Sequence, residues 1–227
     1  MANPPFSLSN WGLALLQNDP RWGLGLPPAG NANYAWIEHM ICHLAPNGKI
    51  GLVLANGALS TQTSGEGEIR RKIIEADLIE GIVAMPTQLF YSVTIPVTLW
   101  FISRGKKQPG KTLFIDARNL GHMVDRKHRD FSEEDINRLA DTFTAFQNGK
   151  LQDEKGFCAV VKTEDIAKQD YILTPGRYVG IEDAPEDTEP FDEKMNRLTT
   201  ELGGMFAKSH ELEEEIKKNL AGIGFKI

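Results

Sequence analysis

The chain has 227 residues (25.3 kDa), 41% of them hydrophobic, enough for one large domain, or a domain plus an appendage, with a real core. No apolar run approaches the roughly 20 residues that cross a bilayer, residues 1–16 lack the basic start of a secretory signal, and Cys42 and Cys158 match no metal or redox spacing, so a reducing cytoplasm and two buried thiols are expected. The formal charge of −6 excludes a uniformly basic nucleic-acid binder, but residues 1–180 hold 19 basic and 19 acidic side chains while 181–227 hold 6 and 12, so a neutral body can still carry local basic patches.

Asn3-Pro4-Pro5-Phe6 opens the chain and is its most informative pattern. An exocyclic amine such as adenine N6 is a poor nucleophile, because its lone pair is delocalised into the ring. A catalyst that methylates it holds both N–H groups with acceptors and biases the nitrogen toward a tetrahedral geometry. The Asn3 side-chain oxygen and the Pro4 carbonyl are the candidate acceptors. Pro4-Pro5 makes a stiff, extended loop that aims both. Phe6 is a candidate stacking face for a base flipped out of its duplex, a contact worth roughly 1–3 kcal/mol. The motif needs a strand end in front of it and only Met1-Ala2 precede it, so the chain reads as a cut piece of a larger enzyme. By itself the tetrapeptide is also a plain turn, since Asn-Pro and Pro-Pro are ordinary loop punctuation.

Residues 7–33 follow as a long irregular segment rich in Gly, Pro and Asn, with Trp11 and Trp22 set in it. Next come a helix over 34–44 stopped by Pro46-Asn47-Gly48, a buried-type strand over 49–55, a helix from Glu66 to Ala76, and strands over 78–85, 97–103 and 112–117. Ser132 caps a helix over 133–147, with Asp135 in the capping-box position. Residues 150–180 read as a short strand, a short helix and a closing loop, Leu173-Thr-Pro-Gly-Arg-Tyr-Val-Gly180. The alternation predicts an α/β fold.

An acidic, Pro-containing linker occupies 181–190, and a separate helix follows over 191–227. There Phe191, Met195, Leu198, Leu202, Met205, Ser209, Leu212, Ile216 and Leu220 recur at steps of three and four, a narrow seam of coiled-coil type. Such a seam packs either on its own domain or on another molecule, and the linker favours the second. Gly203-Gly204 weakens the helix by about 1 kcal/mol per glycine and marks a candidate kink.

Other patterns carry less. His39 and His43 share a helix face, but the Glu of a zinc-protease helix is replaced by Met40. Gly65-Glu-Gly67-Glu-Ile-Arg70 lacks the Lys-Ser/Thr of a phosphate loop, so it reads as a flexible loop leading to a solvated Arg70-Arg71-Lys72 face. Two basic clusters are candidate contacts to a DNA backbone: Arg104, Lys106, Lys107 and Lys111, then Arg118, His122, Arg126, Lys127, His128 and Arg129. No strand–glycine-rich turn–helix unit of the kind that holds a nucleotide-like methyl donor occurs anywhere.

Several stretches in order resemble one family: Asn3-Pro-Pro-Phe6, the stretch from Leu89 to Ile102, Gly121-His-Met-Val-Asp-Arg126, Phe131-Ser-Glu-Glu-Asp-Ile136 and Leu173-Thr-Pro-Gly-Arg-Tyr-Val179. The chain resembles the modification (M) subunit of type I restriction–modification systems, an adenine-N6 DNA methyltransferase. The resemblance implies the C-terminal half of a Rossmann-like methyltransferase domain over 1–180, starting at the target-amine motif, with a helical extension. It assigns Asn3, Pro4, Pro5 and Phe6 to the catalytic loop and S-adenosylmethionine to the intact enzyme as cofactor, with no cofactor-binding residue and no metal in this chain. It implies DNA, a specificity subunit, a second M subunit and a restriction subunit as partners, and the 191–220 seam as an assembly helix. On this reading the piece alone is inactive. A non-catalytic assembly module with a vestigial loop is the alternative, and a glutamine or RNA-base methyltransferase a third. The strand edge exposed by the cut would invite self-association.

Overall fold

A computed structural model describes residues 1–90, 94–181 and 190–225. Tyr91-Ser92-Val93 of the 89–102 stretch, and the acidic linker apart from Ile181 and Pro190, lie outside the described residues. The chain divides into two compact units, Met1–Asp183 and Ala184–Ile227.

The strands of the first unit are β1 (Lys49–Ala55), β2 (Ile79–Ala84), β3 (Val97–Ser103), β4 (Lys111–Asp116), the short pair β5 (His122–Met123) and β6 (Arg129–Asp130), and β7 (Cys158–Lys162). Five of them make one mixed sheet in the order β1-β3-β2-β4-β7, while β5 and β6 form a separate hairpin. Because β3 is antiparallel to both β1 and β2, and β2 is parallel to β4, strands β1, β2 and β4 all point one way. Their carboxyl ends share one edge of the sheet, the edge where open α/β sheets bind ligands.

Helices α1 (Leu13–Leu16), α2 (Asn33–Cys42), α3 (Glu66–Glu75), α4 (Glu133–Gln147) and α5 (Thr163–Ala167) complete this unit. Strand alternation sends side chains to two cores. Ile50, Leu52 and Leu54 of β1 and Trp100 and Ile102 of β3 pack with Tyr34 and Ile37 of α2 and Ile69 and Ile73 of α3. Val53, Leu99 and Phe101 turn the other way, toward Phe143 and Phe146 of α4. Trp100 is fully buried, and its indole N–H donates to Thr98 Oγ1 (3.1 Å), whose hydroxyl donates to the Leu54 carbonyl (3.2 Å). The expected capping box is present: the Asp135 N–H donates to Ser132 Oγ (3.1 Å) and the Ser132 N–H to Asp135 Oδ2 (3.0 Å).

Some expectations need correction. Residues 7–33 are not simply irregular: they contain α1, and the indoles of Trp11 and Trp22 tie the segment together by donating to the carbonyls of Pro28 (2.9 Å) and Leu16 (2.6 Å). Arg70 is not solvated but has 0% exposure, donating to the carbonyls of Tyr171 (2.7 Å) and Thr61 (2.6 Å). Arg71 and Lys72 follow the expected surface pattern: both are exposed, and Arg71 pairs with Glu68 and Glu75. Of the two thiols, Cys158 is buried and Cys42 exposed.

The second unit is α6 (Phe191–Gly222), helical without a break through Gly203-Gly204. It buries none of its residues, and Met195, Leu198, Leu202, Met205, Leu212 and Ile216 of the seam are exposed. Among the described residues no helix is long and apolar enough to cross a membrane.

Candidate active site

Met1 and Ala2 lie beside β1. Ala2 pairs in parallel with Leu52: its N–H donates to the Gly51 carbonyl (2.9 Å) and its carbonyl accepts from the Val53 N–H (3.0 Å). The strand end that the Asn-Pro-Pro-Phe motif needs is therefore present as one rung on the outer edge of β1. Running parallel to β1, the chain delivers Asn3 toward the carboxyl edge of the sheet. Asn3 and Pro5 are exposed there, Pro4 and Phe6 half-buried, and the Asn3 side chain makes no hydrogen bond with any described residue. Beyond the motif the backbone is fastened down. Ser7, at φ 49°, donates its N–H to Asn33 Oδ1 (3.1 Å), and the Ala32 N–H donates to the Leu8 carbonyl (2.9 Å), so the start of α2 anchors the loop.

Phe6 meets a residue to which the sequence assigns no role. Its ring lies edge-on to Phe90, with centroids 6.4 Å apart and planes at 75°. Phe90 belongs to the segment between β2 and β3, where Gln88 also holds a left-handed backbone, φ 67°. Both rings pack on the α4-side core, among Val53, Leu89, Leu99, Phe101, Leu120 and Phe131. A left-handed non-glycine residue costs roughly 1–2 kcal/mol, and two of them beside the two facing aromatics mark a region held in shape by its surroundings. Phe90 does lie in the quoted 89–102 stretch, but no spacing rule links it to Phe6 across more than 80 residues. Only the sheet brings them together.

The first basic cluster falls elsewhere. Lys106 is buried against Asp77, and Arg104 donates to the Ile41 carbonyl (3.1 Å), so this basic cluster follows β3 at the opposite edge of the sheet from Asn3. Arg118 is clamped to Asp116 (2.6 Å), which holds its guanidinium pKa above the usual value. His39 and His43 stand 4.5 Å apart by ring centroid; His39 Nδ1 faces Arg21 Nη1 (2.9 Å) and His43 Nδ1 faces the His39 carbonyl (2.8 Å). A cavity of about 540 Å³ opens at that far edge, lined by Arg21, Leu24, Glu38, Ile41, Leu78 and Arg104. None of its lining comes from the motif. Its Glu38 has 1% exposure and neither carboxylate oxygen has a partner of normal geometry; burial raises its pKa to about 7, with the nearby Leu24 N–H and the Lys72 charge opposing.

Around Asn3 the surface is apolar. Met1, Ala2, Leu52, Val53, Leu99 and Phe101 line a hollow of about 330 Å³ to which only Asn3 gives a polar side chain. A nucleotide-like cofactor needs an acid for its ribose hydroxyls, and this lining has none. The hollow beside Asn3 therefore does not by itself fit a nucleotide-like donor.

The chain matches the N-6 DNA Methylase family over residues 1–187. It is 53% identical over its whole length to the type I restriction enzyme HindI methylase subunit of Haemophilus influenzae, covering 51% of that protein. It is 45% identical over 99% of its length to the type I restriction enzyme MjaIX methylase subunit of Methanocaldococcus jannaschii, covering 42% of it. The chain therefore spans about half the length of the curated relatives it matches. Among solved structures it superposes with a TM-score of 0.70 on the methyltransferase subunit of a type I restriction-modification system from Streptococcus thermophilus, at 26% identity over 79% of this chain and 37% of that one. The EcoKI M protein shares the fold (TM-score 0.57, 18% identity), with 98% of this chain and 52% of that one aligned.

Proposed function

The chain belongs to the N-6 DNA Methylase family, and from that premise we propose that it carries the base-orienting half of a type I adenine-N6 DNA methyltransferase. The observation that carries this reading is the Asn3–Phe6 loop, launched from the Ala2–Leu52 rung with Phe6 against Phe90. Asn3 Oδ1 and the Pro4 carbonyl accept the two N6 hydrogens of a flipped adenine and turn the nitrogen lone pair out of conjugation. Pro5 stiffens the loop. Phe6 stacks on the base and Phe90 buttresses it from the side. S-adenosylmethionine supplies the methyl group in such enzymes; its binding residues lie outside these 227, so this chain alone does not transfer methyl groups.

In this reading 1–180 is the partial catalytic domain, 181–190 a linker and 191–227 an assembly helix. The apolar seam of α6 docks in the complex formed with a specificity subunit, a second M subunit and the restriction subunit, and DNA reaches the carboxyl edge of the sheet. The test is methyl transfer by the enzyme assembled with a donor-binding half. Asn3→Ala is expected to slow transfer by roughly 10²–10³-fold, the cost of losing one well-placed polar group, while DNA affinity holds. An unchanged rate would remove the loop from catalysis. Intact assembly in that case would favour the purely structural role that the α6 seam would equally serve.

A further inference from the structure

The hairpin of β5 and β6 is tied to the segment that carries Phe90. Leu120 and Phe131, on either side of it, pack in the same core as Phe6 and Phe90. The Arg129 N–H donates to the Gln88 carbonyl (2.9 Å), two residues before Phe90. The hairpin is firmly built. Gly121 has φ 79°, and a Cβ there would stand 2.7 Å from the Asp130 carbonyl oxygen, so only glycine lets its base close. Arg129 Nη1 staples that base by donating to the carbonyls of Leu120 (2.9 Å) and Gly121 (3.2 Å). At the tip, Asp125 accepts from the N–H groups of Lys127 (2.6 Å) and His128 (2.9 Å) and pairs with His128 Nδ1 (2.6 Å).

These bonds turn the carboxylates of the hairpin toward its own backbone. Asp125 spends its carboxylate inside the turn and Asp130 accepts from the Phe131 N–H (2.8 Å). Glu133, Glu134 and Asp135 belong to the first turn of α4. Arg118 and Arg129 are engaged as described. That leaves Arg126 and Lys127, exposed and adjacent at the tip, with no ion pair to any described residue, beside exposed Met123 and Val124.

We propose that the 121–130 hairpin is a DNA-backbone clamp: Arg126 and Lys127 hold the phosphates flanking the flipped base, and so fix the duplex over the Asn3–Phe6 loop. The inference rests on the DNA reading given above. Charge complementarity and continuity with the target-base loop favour DNA over a protein partner. Arg126 and Lys127 are positioning residues and touch no reacting atom.

The test is fluorescence anisotropy of this chain with a labelled 20-base-pair duplex, titrated across 50–200 mM NaCl. Each phosphate contact contributes about 0.9 to the slope of log affinity against log salt. The pair Arg126→Ala/Lys127→Ala is expected to flatten that slope by about 2 and weaken binding roughly tenfold at low salt, with an unchanged melting temperature. Lys107→Ala/Lys111→Ala, the same charge removed near the far edge, is expected to behave as the unmodified chain. Equal losses for both pairs, or for neither, would overturn the clamp and leave the DNA reading standing. An unmodified chain with no salt-dependent binding would overturn both.

Discussion

At the scale of single residues, the site depends on side chains whose roles the sequence states unequally. Asn3, Pro4, Pro5 and Phe6 stand out in the sequence because the proposed amine methylation calls for those types together. Phe90 was not, because its partner is distant in sequence and the strands between them set the meeting. Replacing Phe90 with Ala is expected to lower capture of a 2-aminopurine placed at the target adenine by roughly two- to tenfold, the worth of one edge-on aromatic contact. Unaltered fluorescence would mean the base never reaches that ring. Glu38 gives a prediction in pH. Its folded pKa of about 7 lies above the ordinary 4.5, so the folded protein binds this proton more tightly than the unfolded chain. The associated stability is fully present below about pH 4.5 and is lost as pH rises through 7. Glu38→Gln should remove that loss, flattening urea-derived stability between pH 5 and 8 by on the order of 2–3 kcal/mol. Equal slopes for both proteins would show that the carboxyl is solvated.

At the scale of elements, local patterns were legible and their surroundings were not. β1 and β3 have the boundaries that a buried apolar run and a β-branched, aromatic run suggest, and α4 begins at the cap that Ser132 and Asp135 spell out. Ser132→Ala removes the cap acceptor and is expected to cost about 1 kcal/mol, seen as a shifted denaturation midpoint with an unchanged slope. Arg70 shows the limit of helix-face reasoning: a run of Arg-Arg-Lys looks solvated, yet the first of the three reaches the carbonyls of Thr61 and Tyr171, groups that no periodicity reveals. The seam of α6 was readable from its three- and four-residue steps alone. Leu198→Asp with Leu212→Asp is expected to abolish capture of a specificity subunit and leave the melting of residues 1–181 unchanged. Retained capture would assign the seam another task.

For the whole molecule, alternation of helix and strand was enough to give the α/β class, but not the strand order, because a buried strand such as β2 carries no mark of which neighbours it pairs with. Nor did composition reveal that Met1-Ala2 would lie as a rung on β1 or that the basic hairpin and the motif would share an edge. The Asn3–Phe6 loop and the basic hairpin share that edge, and the hollow beside Asn3 has no acidic side chain in its lining. This division between a target-base half in these residues and a donor half outside them is the central claim. Calorimetric titration of S-adenosylmethionine into the purified, cooperatively folded chain tests it most directly. No heat of binding is expected; saturable one-to-one binding would show that these 227 residues build a donor site of their own, and would contradict it.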